Sequence, residues 1–419
     1  MGDEDQGISC LFITANVGSI FEDPENMLEI WINEFIKVVK KLNPKMIALH
    51  CQEVGGKNYE NSMKHVEHFI KLLLATDVIH TNYDKIRIYL DEDYSAKDHF
   101  TALGNFYLIH ESVNNIKYYD FKESAYINVD QGQQIYSGNI ESIPTKNKAK
   151  FPQHFFPEFK WSRKGYMRTR WLINNTINID LINVHLFHDA SNFVAMEEYP
   201  SVYCMNRRRA LLHILEQINN DHHPNIPFFI FGDFNFRTDT NSVVKKLTDG
   251  LITNRIQNAN DNNKTKLQYF NTDQQLILTV GKKEFTHLQH QNVFLNQQQQ
   301  HNDQNNDDPN QLNQQISWLK SMDKEFDAFD TTLYEYPVTF PPSYPFVEQV
   351  VDDKDTVSSY MHTRCPSWCD RILISNTAKS IINEKTNVEY NMIGLNTCMG
   401  DHKPIYLNIE LISTNNNNN

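Results

Sequence analysis

The segment IPFFIFGDFNF, residues 226–236, constrains the fold more than any other part of the chain. Its apolar residues run without alternation, so a strand built from it is buried on both faces, at the centre of a covered sheet. The chain supplies neighbours for such a strand. ISCLFITANV (8–17), MIALHCQEV (46–54), FTALGNFYLIHES (100–112), RILIS (371–375) and KPIYLNIEL (403–411) read as strands. YMRTRWLINN and INIDLINVHLF (166–187) read as a hairpin turning at Asn174-Asn175. Helices are interleaved with them. Asp23-Pro24 offers an N-cap and a first-turn proline, and Leu28, Ile32, Phe35, Val39 and Leu42 follow at helical spacing. His65–Leu74 and Arg207–Ile218 read as further helices. The mixture predicts one domain over 8–412. NQQQQHNDQNNDDPNQLNQQ (296–315) has too little apolar surface to bury and reads as a disordered insertion, with 413–419 a disordered tail.

Composition narrows the function classes. Of 419 residues 49 are aromatic, enough for a substantial core, and no run approaches the ~18 apolar residues of a membrane span. The net charge of −13 gives no global attraction for nucleic acid or an anionic membrane. An anionic substrate would need a local Lys/Arg cluster, a metal ion, or both. The six cysteines are scattered, which predicts reduced thiols rather than a disulfide framework. MGDEDQ lacks the basic start of a secretory signal, Gln6 stands where myristoylation wants Ser or Thr, and LISTNNNNN holds no prenylation cysteine. A cytoplasmic monomer with no nucleic-acid partner is expected, with peripheral contact at the plasma membrane left open.

Polar residues recur where apolar strands end: Asn16, Glu53, His185 and His188, Asp233 and Asn235, Asp370, Asp401 and His402. A strand-end Asp or Asn is usually a turn residue, but these share one chemistry, metal-assisted hydrolysis of a phosphate ester. A hard cation such as Mg2+ takes oxygen ligands, for which Glu53 and the Asn16 carbonyl are candidates. Asp233 can orient and deprotonate water, Asn235 can donate to phosphate oxygens, and His402 can stabilise them if Asp370 orients its ring. RCPSWCDRIL (364–373) also fits a Cys-x5-Arg loop from Cys365 to Arg371, in which a thiolate would attack phosphorus. That reading is poor: Pro366 lacks an N–H, no glycine permits a cradle, and RILIS begins a strand rather than a helix.

FGDFNFR (231–237) and RCPSWCDRIL together resemble the two motifs of the inositol polyphosphate 5-phosphatases. TANVGSIFEDPEN, LHCQEVGGKNYE, KWSRKGYMRTRW, NVHLFHDASN, FPPSYPF and CMGDHKP extend the likeness, in order, to the type I branch. The resemblance implies an α+β four-layer sandwich of two mostly antiparallel sheets flanked by helices, the DNase I-like fold. It implies Mg2+ and removal of the 5-phosphate of inositol 1,4,5-trisphosphate and 1,3,4,5-tetrakisphosphate, soluble substrates whose hydrolysis ends calcium signalling. By position it gives Asn16 and Glu53 to the metal, His185 to the vicinity of the scissile phosphate, Asp233 with Asn235 to water and phosphate, and Asp370 with His402 to the carboxylate–histidine pair. Lys164, Arg170, Arg364, Arg371, Arg237 and Tyr344 are its candidate substrate contacts, with Arg163 and Arg168 adding charge. Pro345 follows Tyr344 where lipid-using members carry a lysine, which favours soluble substrates. Type I enzymes of animals end in a prenylation box, and this chain ends in asparagines. Competing readings are a phosphoinositide-lipid 5-phosphatase, an endonuclease on the same fold, and an inactive scaffold that binds inositol phosphates.

Overall fold

Residues that are apolar on alternate positions, or on all of them, become the middles of two stacked sheets. A computed structural model describes residues 7–157, 162–256, 265–294, 318–348 and 359–413. The strands that build the site are β1 (Ile8–Asn16), β2 (Met46–Gln52), β3 (Gly165–Ile173), β4 (Ile177–His185), β5 (Phe228–Asp233), β6 (Asp370–Ser375) and β7 (Ile405–Leu411). The first sheet runs Glu389–Met392, β7, β1, β2, Gly104–His110, Tyr83–Leu90, Gly132–Tyr136. The second runs Leu333–Tyr334, β6, β5, β4, β3, Ile116–Asp120, Ala125–Asn128, with Asn147–Lys150 also paired to β3. Most pairings are antiparallel, but β1 lies parallel to β2, β4 parallel to β5, and Tyr83–Leu90 parallel to Gly132–Tyr136. The fold is the expected sandwich.

Each strand alternates its faces, and the alternation assigns the layers. Phe12, Ala48, Leu181, Phe229, Phe231, Ile372 and Leu407 meet between the sheets. Phe12 stacks on Phe231 at 5.5 Å and meets Phe229 edge-on at 4.8 Å, tying β1 to β5. The opposite face of the first sheet, Leu11, Ile13 and Leu49, packs on helices α1 (Pro24–Leu42) and α2 (Lys64–Leu74). Ile182, Val184, Ile230 and Leu373 pack on helix α3 (Val202–Asn219). Four layers result: helix, sheet, sheet, helix.

The elements that were expected are present, with amendments, and the strands Tyr83–Leu90, Ile116–Asp120, Ala125–Asn128, Gly132–Tyr136 and Glu389–Met392 join the two sheets without having been expected. The hairpin turns at Asn174 and Asn175, with φ of 51° and 58°, the left-handed pair that a type I′ turn needs. Pro24 opens α1 as expected, but the Asp23 side chain accepts from Asn26 Nδ2 instead of capping the helix. α3 begins at Val202, five residues before the expected start, because the Ser201 side chain accepts from Cys204 N at 3.2 Å. A separate antiparallel sheet of Ile252–Ile256, Lys266–Phe270, Leu276–Gly281 and Glu284–His287 was not anticipated. The low-complexity segment 296–315 and residues 414–419 lie outside the described residues.

Candidate active site

The rows that fill the space between the sheets continue into polar residues at one end. On β5 the row Phe229, Phe231 ends in Asp233; on β4 Leu181 and Asn183 lead to His185; on β6 Ile374 and Ile372 lead back to Asp370. The registers set His185 beside Asp233 and Asp233 beside Asp370. Gly232 permits this close approach, since a Cβ there would lie 2.0 Å from the Val184 carbonyl oxygen. On the first sheet Cys10, Phe12 and Thr14 lead to Asn16. Glu53 falls one residue beyond the matching row of β2, and its φ of 56° breaks the strand alternation. These ends open on a cleft of about 400 Å³ that Glu53, Asp233, Asn235, Tyr344 and His402 line.

Asp233 is buried and heavily held. It accepts from Asn16 Nδ2 at 3.1 Å, from the Asn235 backbone at 2.8 Å and from Asn235 Nδ2 at 3.0 Å, and His185 Nε2 lies 3.3 Å away. Burial alone would raise its carboxyl, but the charge of His402, the His185 contact and Lys164 hold it well below the usual carboxylate range. Asn235, expected to face phosphate, commits both amide hydrogens, to Asp233 and to the Leu186 carbonyl at 3.1 Å; it sits at φ 52°. In this structure it positions Asp233.

His402 Nδ1 meets Asp370 Oδ2 at 2.8 Å. Burial opposes the imidazolium, but the carboxylates of Asp370 and Asp233 push the ring up to about 9. The Asp370 carboxyl is itself raised by burial, with the His402 charge opposing. Ser343, which the sequence reading passed over, donates to Asp370 Oδ2 at 2.7 Å while accepting from the backbone of Cys369 and Asp370. The Tyr344 ring lies 4.6 Å from the His402 ring and 4.4 Å below the Arg237 guanidinium.

Among the described residues Asp233, Asp370 and His402 have the spacing of a metal-ligand group, but Asp370 Oδ2 is bonded to His402 Nδ1 and Asp233 is held by Asn16 and Asn235. Glu53 and Asn16 fit a cation better. Burial would raise the Glu53 carboxyl, yet Arg163 and Lys164 hold it at about 2, while its nearest cation, Arg163 Nη2, is 3.4 Å away, long for a charge-assisted bond. Glu53 Oε2 and Asn16 Oδ1 also face a common point: a Cβ on Gly18 would meet them at 2.9 and 3.3 Å. Asn16 Oδ1 accepts from Gly18 N at 3.0 Å and keeps a second lone pair, so two oxygen donors about a cradle that any Cβ would invade suit a small hard cation.

The basic candidates divide. Lys164 lines the cleft against His185 Nε2; burial lowers its amine to about 8, with Glu53 and Asp233 opposing. Arg237 lines it too, with one bond to Asn235 Oδ1 at 2.6 Å and no partner for Nε or Nη1 among the described residues. Arg364 lines it, but its guanidinium is bonded to Asn192 and to the carbonyls of Lys282 and Asp189. Arg170 and Arg371 do not reach it, and both expectations are corrected. Met167 and Trp171 of β3 face the inter-sheet core, so Arg168 and Arg170 point the other way, into ion pairs with Asp180 and Asp221. Arg371 likewise turns away from the row of Ile372 and pairs with Asp323 and Glu335. The thiolate reading falls with it: Cys365 is buried, accepts from Thr238 Oγ1, and burial pushes its thiol up to about 12. Lys57, His188, Asp189, Lys283 and Asp401 line the cleft without having been assigned a role there. Only His188 and Asp401, at strand ends, carried a sequence signal.

Known proteins resemble the chain over most of its length. Residues 291–408 match the family model described as Endonuclease/Exonuclease/phosphatase family 2. The chain is 46% identical to human inositol polyphosphate-5-phosphatase A over 407 residues, covering 96% of this chain and 93% of that protein. It is 31% identical to a Caenorhabditis elegans protein named probable type I inositol 1,4,5-trisphosphate 5-phosphatase, covering 96% of this chain and all of the other. Among solved structures, the 5-phosphatase domain of a synaptojanin, in complex with inositol (1,4)-bisphosphate and calcium ion, is similar at 15% identity and a TM-score of 0.48, covering 97% of this chain and 84% of that one.

Proposed function

The chain belongs to the inositol polyphosphate 5-phosphatase family, and from that premise we propose that it hydrolyses the 5-phosphate of soluble inositol polyphosphates, inositol 1,4,5-trisphosphate and 1,3,4,5-tetrakisphosphate, with Mg2+. The observation that carries the reading is the convergence of Asp233, Asp370 and His402, with side-chain atoms within 4.8 Å of one another, at a cleft that Glu53, Lys164 and Arg237 also line. Phosphoryl transfer needs positioning and charge more than covalent chemistry, and each residue has a part of that task. Asp233, fixed by Asn16, Asn235 and His185, orients the attacking water. A carboxyl held so low is a weak base, so it takes the water's proton late, as the bond to phosphorus forms. The His402 imidazolium, kept charged and aimed by Asp370 and Ser343, offsets negative charge on the phosphoryl oxygens. Lys164 and the two unbonded donors of Arg237 add to that field. A divalent cation held by Glu53 and Asn16 would supply Lewis-acid polarisation of a phosphoryl oxygen.

The test is phosphate release from inositol 1,4,5-trisphosphate in Mg2+ buffer. Asp233→Asn should cut kcat by about 10²–10⁴-fold with the fold intact by circular dichroism. Undiminished turnover in EDTA would remove the metal from the reading. Faster cleavage of abasic DNA than of any inositol phosphate would replace the substrate class.

A further inference from the structure

The small sheet that the sequence reading missed brings a turn to the rim of the cleft. Strands Leu276–Gly281 and Glu284–His287 are joined by Lys282-Lys283, and Lys283 lines the same cleft as Asp233 and His402. The turn is held far more firmly than an exposed hairpin requires. Buried Asn192 donates from Nδ2 to the carbonyls of Gly281 (3.1 Å) and Glu284 (3.0 Å), and its backbone N–H donates to Lys282 O at 3.0 Å. Arg364, itself bonded to Asn192 Oδ1 at 2.9 Å, donates to Lys282 O at 2.8 Å. Phe285 N donates to the His362 carbonyl at 2.8 Å, joining the second strand to the segment that leads into RCPSWCDRIL. Two buried polar side chains thus fix the backbone on both sides of Lys283, while Lys283 itself is exposed. Preorganising a cation in this way lowers the ordering cost of using it.

We propose that Lys283 is a specificity-determining residue that binds a substrate phosphate other than the one being hydrolysed, and that Arg364 acts chiefly by positioning it. The reaction-centre charges, Lys164 and Arg237, lie beside Asp233 and Asn235. A cation delivered from a separate sheet serves a different part of the ligand, so the preferred ligand is a small polyanion with phosphates on more than one ring position. This inference rests on the phosphatase reading.

The probes are inositol 1,4-bisphosphate, which carries no 5-phosphate, and inorganic phosphate, which reports the reaction centre. Their Kd values are measured by titration calorimetry on the full chain, beside wild-type turnover of inositol 1,4,5-trisphosphate. Lys283→Ala should weaken the bisphosphate about tenfold, or ~1.4 kcal/mol, and inorganic phosphate less than twofold. Lys282→Ala removes the same charge one residue away and should weaken the bisphosphate less than threefold. Equal losses for the two probes, equal losses for the two lysine variants, or no loss in Lys283→Ala would each overturn the proposal while wild-type turnover leaves the phosphatase reading standing. Absence of wild-type turnover and of bisphosphate binding would overturn both.

Discussion

His402 and Gly18 are the residues at which the proposed chemistry is tested most directly. His402 owes its proton to Asp370: the ring is buried, and only carboxylate charge lifts it to about 9. A group with a raised folded-state pKa contributes fully below its unfolded value and loses that contribution as pH rises through the folded one. Activity that needs the imidazolium should therefore fall on an alkaline limb near pH 9. Asp370→Asn removes the charge and lets burial dominate, so that limb in a profile of kcat against pH should move to lower pH; a limb that stays in place would show that His402 is not the titrating group. Gly18 argues in the same way for the cation. It has ordinary helical φ, so alanine is tolerated by the backbone, yet its Cβ would intrude between Glu53 Oε2 and Asn16 Oδ1. Gly18→Ala should raise the Mg2+ concentration for half-maximal activity by about tenfold, and an unchanged activation curve would place the cation elsewhere.

At the scale of the element, strand alternation decides which charged residues serve the site and which hold the frame. Arg371 begins one residue after Asp370, so it lies on the other face of β6, between Asp323 and Glu335. Arg371→Ala takes the cation from Glu335 and leaves Asp323 to Lys320 alone, and should cost about 3 kcal/mol, read as a lower denaturant midpoint, while KM per folded molecule holds. A raised KM at unchanged stability would return Arg371 to the substrate. The same parity explains what was legible beforehand. The strands ending in Asn16 and Asp233 and the one beginning at Asp370 are mostly apolar runs, and a reader of the sequence can follow them to their polar ends. The arginines of YMRTRW look equally promising there, because single-strand patterning does not say which face turns toward the cleft. Lys57 and Lys283 were illegible for another reason: no apolar row leads to them, and the strands Ile252–Ile256 and Leu276–Gly281 are too exposed in part to announce a sheet. Ser343 acts through a bond to a residue 27 positions away, which no local pattern records.

For the whole molecule the question is how a chain of net charge −13 attracts a polyanion. The cleft inverts the global sign locally: Lys57, Arg163, Lys164, Arg237, Lys283 and Arg364 face Glu53, Asp189, Asp233 and Asp401, and protonated His402 adds a further positive charge. Part of that charge is already neutralised, since Lys57 pairs with Glu348 and Asp401, and Arg207 pairs with Asp189. The attraction is therefore short in range, while the repulsion from the rest of the surface acts at longer distance. At 0.1 M salt the Debye length is about 10 Å, so the distant repulsion is largely screened and the cleft dominates; at 1 M it is about 3 Å, and contacts at the exposed rim weaken as well. Raising salt from 0.1 to 1 M should thus increase KM for inositol 1,4,5-trisphosphate by about tenfold with a smaller effect on kcat, because Lys164, Arg237 and His402 are buried beside the reaction and screened least. Lys283→Ala should flatten the slope of log KM against log salt, since it deletes an exposed contributor. A KM that falls with salt would mean that global repulsion governs encounter, and that the cleft's local charge is too small to carry recognition.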